Sequence, residues 1–188
     1  MRLILLTVLI AAVAGLLAGG HLSEFPTVRL RRPWLAVVGV VLQFLPVGGD
    51  LGFAILLISF ATLLGFTIVN LRAPGFALII IGLALNVTVI GANHGMPVTS
   101  EALIRSGQAD TLHSLITEGG AKHHLATDDT VLLALADVIP VGGPVRQVVS
   151  IGDLFVHLGV AWFIVMAMRR RGAEARPSAT GVEPGTAG

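Results

Sequence analysis

Residues 76–98 read "FALIIIGLALNVTVIGANHGMPV", and the reading of this stretch decides the fold. It holds no charged side chain as far as Ala92, then stops at Asn93, His94, Gly95 and Pro97. A helix needs about 20 apolar residues, within a range of about 17–25, to cross roughly 30 Å of hydrocarbon. Residues 74–92 meet that length. Gly95 and Pro97 suit an exit turn, because glycine accepts a left-handed backbone and proline cannot continue a helix. Met96 is flexible and apolar, fit to fill a gap beneath the turn. Asn93 can bond carbonyls that the helix end leaves free.

Working outward, residues 3–19, 51–69 and 151–168 show the same unbroken apolar character. A shorter run, 34–46, reaches span length as 29–46 if Arg29, Arg31 and Arg32 snorkel to the headgroups. Five spans result. Composition agrees: 54% of the 188 residues are hydrophobic and 12% charged, against about 25% charge in a soluble domain. The expected class is all-α, a polytopic membrane protein of about five transmembrane helices occupying residues 1–171. A net charge of +1 with no clustered basic face excludes nucleic acid as a partner. The absence of cysteine excludes disulfides, thiolate metal sites and cysteine nucleophiles. Eleven of the twelve basic residues are arginine, which with abundant alanine, glycine and valine fits a bacterial chain from a GC-rich genome.

Orientation follows from basic residues, because short positive loops stay cytoplasmic. Arg29, Arg31 and Arg32 mark the first loop, Arg72 the third, and Arg169, Arg170 and Arg171 the end of the last span; "VGGD" has none. Alternation puts the N-terminus outside, segment 93–146 outside and the C-terminus in the cytoplasm of a bacterial cell. The competing reading is a cleaved signal peptide ending near "LLAGG"; it would put the triple-arginine loop outside, against the charge bias.

Segment 93–146 has structure of its own. Thr99 or Ser100 can cap a helix "EALIRS" closed by Gly107, and Asp110 another, "TLHSLITE", closed by Gly119 and Gly120. The piece "ATDDTVLLALADVIP" has about nine apolar positions, a length for a short re-entrant or interfacial helix rather than a span. Residues 172–188 read as a disordered cytoplasmic tail.

Polar groups inside hydrocarbon need a reason. Arg146, Ser150, Asp153 and His157 follow at intervals of four, three and four, one helical face. Asp153 and His157 are the catalytic candidates, as an acid–base pair; otherwise Asp153 caps the helix and His157 bonds a neighbouring span. Asn93, Asp137, Arg146 and Ser150 are the ligand-binding candidates, with Arg146 or His157 as partner for Asp137. Asn86 and Gln43 would turn further polar groups inward, or serve helix packing. His94, His113, His123 and His124 beside Asp128 and Asp129 lack the spacing of known zinc sites and read as solvated loop histidines. No metal or other cofactor is called for. Neither a nucleophile elbow nor a phosphate-binding glycine loop is present.

The motif "NHGMPV" after one span, "LADVIP", and "SIGD" opening the next resemble a family of small bacterial, chiefly actinobacterial, integral-membrane proteins known only as a domain of unknown function. The resemblance covers most of the chain up to Arg171. Its pattern falls on Asn93, Gly95, Met96 and Pro97, and on Ser150, Gly152 and Asp153. It implies a polytopic membrane protein and supplies no activity. Three functions stay open: a binding or accessory protein whose outer segment covers a polar cleft, a membrane-embedded enzyme, and an oligomeric transporter or channel subunit. Membrane lipids are the expected partners, with a second copy or a partner membrane subunit beside them.

Overall fold

The computed structural model describes residues 2–23, 29–120 and 122–169; the expected tail, 172–188, lies outside them. Five apolar helices form a bundle: α1 (Arg2–Leu17), α2 (Trp34–Gln43), α3 (Gly49–Val69), α4 (Phe76–Asn93) and α7 (Ile151–Met168). Three of them, α3, α4 and α7, are long and apolar enough to cross a membrane. Between α4 and α7 the chain forms β1 (Met96–Val98), α5 (Ser100–Arg105), α6 (Ala109–Thr117), β2 (His123–Leu125), β3 (Ile139–Val141) and β4 (Gln147–Val149). The expectation of an all-α chain is therefore corrected by four short strands.

Glycines set the helix spacing. Gly82 of α4 lies against the Gly152 carbonyl of α7, and Gly75 against that of Gly159, so the two helices pack antiparallel with backbones almost touching. Gly15 of α1 receives the Met168 side chain, and Thr7 meets His157, so α1 runs parallel to α7. Gly39 of α2 fits against Leu63 of α3, where Ser59 donates to the Gly39 carbonyl at 2.8 Å.

α2 differs from the expected span 29–46. Its helix has ten residues, about 15 Å at 1.5 Å per residue, and the chain then continues without helix to Gly48. Pro46 explains the stop, because it disfavours helical backbone at Leu45 and offers no N–H of its own.

Segment 93–150 caps one end of the bundle. β1 pairs in parallel with β2 and is bridged on its other side to Asp137; β3 and β4 form an antiparallel hairpin. Thr99 caps α5 as expected, accepting from the Ala102 N–H. α6 starts at Ala109, so Asp110 lies within its first turn rather than capping it. The expected helix in "ATDDTVLLALADVIP" reduces to a 3-10 turn, Leu133–Leu135. Leu132 takes a left-handed backbone, φ 58°, and Asp137 is drawn into backbone pairing with β1, donating its N–H to Pro97. His123 and His124 likewise belong to a strand rather than a mobile loop.

Met96, Pro97 and Val98 are all buried. Met96 joins the main core with Leu56, Phe60, Leu83, Val89 and Ile90. It fills the space under the exit turn.

Candidate functional site

Two adjoining cavities lie where the cap meets the bundle. An outer vestibule of about 540 Å³ and an inner chamber of about 200 Å³ share Gln43, Lys122, His123 and Asp137 as walls. The end of α2 and the residues that follow it supply Gln43, Phe44, Leu45 and Pro46 to the vestibule. Asn86 of α4 and Asp153 of α7 reach the chamber, whose remaining walls are apolar, among them Leu56 and Phe60 of α3.

Asp153 is held by a closed set of bonds. Its Oδ1 accepts from the Asn86 amide at 2.7 Å, and its Oδ2 from the Ser150 N–H at 3.2 Å. Its own N–H donates to Ser150 Oγ at 3.0 Å, and that hydroxyl donates to Asn86 Oδ1 at 2.8 Å. Ser150 and Asp153 thus form a capping box at the start of α7, tied sideways to α4. Asn86→Leu is expected to cost about 1–3 kcal/mol for each polar group it strands, read as a lowered unfolding temperature in detergent.

Asp137 is 6% exposed, and its Oδ1 has no hydrogen-bond partner among the described residues. Its Oδ2 lies 3.6 Å from His123 Nε2, beyond hydrogen-bond length. Burial, and then the Asp153 carboxylate, push its pKa up to about 8. The His123 ring is half accessible, but it opens onto the cavities. Burial by their walls holds its pKa below the ordinary imidazole value, and Lys122 adds to this while Asp153 opposes it. Lys122, the chain's single lysine, donates to the Gln43 carbonyl at the end of α2, where the helix dipole is negative. Burial lowers its pKa too.

Of the residues singled out from the sequence, Asp137 and Asp153 meet at the chamber, with Ser150 behind Asp153. The others go elsewhere. Asn93 clasps the outer segment: its amide donates to the Val89 and Val131 carbonyls at 2.8 and 2.9 Å, and its oxygen accepts from the Val131 N–H. Arg146 precedes α7, on the β3–β4 connection with φ 47°, and donates to the Gly107 carbonyl. It therefore shares no helical face with Asp153 and is no partner to Asp137; His123 takes that place. His157 turns to α1, its Nδ1 3.0 Å from Thr7 Oγ1. His94 stacks on Phe53, ring centroids 4.5 Å apart. Among the described residues, no cluster of three His, Asp or Glu side chains is arranged to hold a metal ion.

Lys122 and His123 were the members that spacing alone missed. One signal existed: a lone lysine in a chain that otherwise uses arginine.

The chain belongs to a family of unknown function, DUF5317, whose model matches residues 27–165. It is 33% identical over 164 residues to an uncharacterised protein of Thermotoga maritima, covering 86% of this chain and 89% of that one. No solved structure matches.

Proposed function

We propose that this is a multi-pass protein of the bacterial plasma membrane that binds a small ligand in the cleft beneath segment 93–150. The chain crosses five times, N-terminus and cap outside, C-terminus in the cytoplasm. The exposed apolar side chains of the long helices support the lipid setting: Leu51, Ile58, Leu158 and Trp162 each leave more than half their surface uncovered, where a soluble protein rarely gathers so large an apolar patch. Arg31 and Arg72 sit together at the end opposite the cap, in keeping with cytoplasmic loops.

The single observation behind the binding reading is the early end of α2. A helix of about 15 Å covers half of the roughly 30 Å hydrocarbon layer. Non-helical backbone at membrane depth is tolerated where it lines a cavity or is covered by protein. Here the non-helical stretch after α2 lines the cleft. The acid–base alternative has less support: His157 is not among the residues lining the chamber, and its Nδ1 meets Thr7 instead.

The test uses single cysteines, which a cysteine-free chain makes clean. Glu118→Cys on the cap and Leu71→Cys at the other end are expected to label with impermeant maleimide from opposite sides of the membrane. Leu115→Cys in the vestibule is expected to label from the Glu118 side. Labelling of Glu118→Cys and Leu71→Cys from one side removes the topology; an inert Leu115→Cys removes the open cleft.

A further inference from the structure

We propose that the inner chamber receives the head of a small organic ammonium ion, its N–H groups donating to the Asp137 and Asp153 carboxylates and its apolar substituent lying against Leu56, Phe60 and Ile90. This deepens the reading of the cleft as a ligand site and rests on it.

The geometry is specific. Asp137 is nine-tenths buried and presents Oδ1 without a donor among the described residues, a costly state that a donor entering the chamber would end. Asp153 makes one bond to each oxygen, and a carboxylate has about four lone-pair sites, so it can take another donor. The end of α2 already accepts an ammonium, that of Lys122, and its dipole favours cations. An anionic ligand would instead face the Asp153 carboxylate beside the Asp137 carboxyl, with the one nearby lysine already engaged. A bare metal ion would lack three converging ligands among the described residues. The chamber's volume of about 200 Å³ lies below the roughly 300–1,000 Å³ of drug-sized sites, so the buried head must be small.

The charge balance predicts an exchange. The charged and titratable groups facing Asp137 are Asp153 from α7, His123 from β2 and Lys122 just before it; α2, α3 and α4 face the chamber with Gln43, apolar side chains and Asn86. The Asp137 carboxyl keeps its proton up to about pH 8. A cation entering below that pH displaces the proton to solvent, so an ammonium ion comes in as one proton leaves. Affinity should then rise up to about tenfold per pH unit toward pH 8 and level off above it.

The full chain in detergent is titrated with propylammonium chloride at pH 6.5, against 1-propanol, sodium propionate and tetramethylammonium chloride at matched ionic strength. Unfolding temperature and proton release are the readouts. Propylammonium is expected to stabilise the protein and release close to one proton. Tetramethylammonium, having no N–H, should do neither. Asp137→Asn, which removes the buried ionisable group and should fold, is expected to bind at least tenfold more weakly and release no proton. If propionate or propanol stabilises and propylammonium does not, the ammonium assignment is overturned while the cleft stands. If no probe acts and Leu115→Cys is inert to maleimide, both readings fall. If no probe acts but that cysteine labels, the ammonium assignment alone is overturned.

Discussion

Gly82→Val is expected to yield no monodisperse protein after detergent extraction, and Gly82→Ala to lose about 1–3 kcal/mol, the usual cost of overpacking. The reason lies in what a new Cβ would strike. At Gly82 it meets the Gly152 carbonyl and the Val156 N–H, backbone atoms of α7 that cannot swing aside. The same contact sits beside the Asn86–Ser150–Asp153 set, so prising α4 from α7 also strips three polar groups of their partners. Gly91, on the same helix, has open space around its Cβ position. Gly91→Ala should match or exceed the wild type, because alanine favours helix over glycine by up to about 1 kcal/mol. Size-exclusion profiles and thermal unfolding of the three variants decide the matter. Equal gain from Gly82→Ala and Gly91→Ala would mean that helix propensity, not the α4–α7 contact, sets stability.

The apolar helices were legible in the sequence because a long uncharged run admits few readings. α7 spans the expected residues 151–168, and α4 is displaced by one or two positions at its ends. α2 shows the limit. Its apolar run continues past Gln43, so hydropathy alone extends the helix to 46, and the stop depends on the backbone restriction that Pro46 places on Leu45. The outer segment was harder, because its order comes from contacts distant in sequence. Asp137 takes its conformation from Pro97 and Thr99, and no local pattern in "LLALADVIP" announces strand pairing with residues 40 positions earlier. For the site, the same distinction holds. Ser150 and Asp153 form a capping box that three-residue spacing signals. Asp137 meeting His123, with Lys122 against Gln43, depends on how three separate elements converge. The assumed helical stripe from Arg146 to His157 failed for one reason: the helix starts at Ile151, and Arg146 lies on the strand connection before it.

Asp137→Asn should erase a fall in stability that the wild type shows between about pH 6.5 and 8. Asp137 has its folded pKa raised from 3.8 to about 8. Within that interval the unfolded chain gives up a proton that the folded chain retains, so folding weakens as pH rises, at up to about 1.4 kcal/mol per pH unit. His123 acts in the opposite sense. Its folded pKa lies below 6.5, so its contribution is intact above 6.5 and is lost as pH falls from there. Below 6.5 the two slopes oppose one another; from 6.5 to 8 Asp137 acts alone. Unfolding temperatures of wild type and Asp137→Asn, measured in detergent across pH 5–9, should therefore diverge from pH 5 to about 8 in favour of the variant, because His123 is common to both, and run parallel above 8. His123→Gln in the same series should leave the 6.5–8 decline in place and steepen the decline below it. Parallel wild-type and Asp137→Asn curves throughout would mean that Asp137 is ionised in the folded protein at neutral pH, and that the chamber already satisfies its charge.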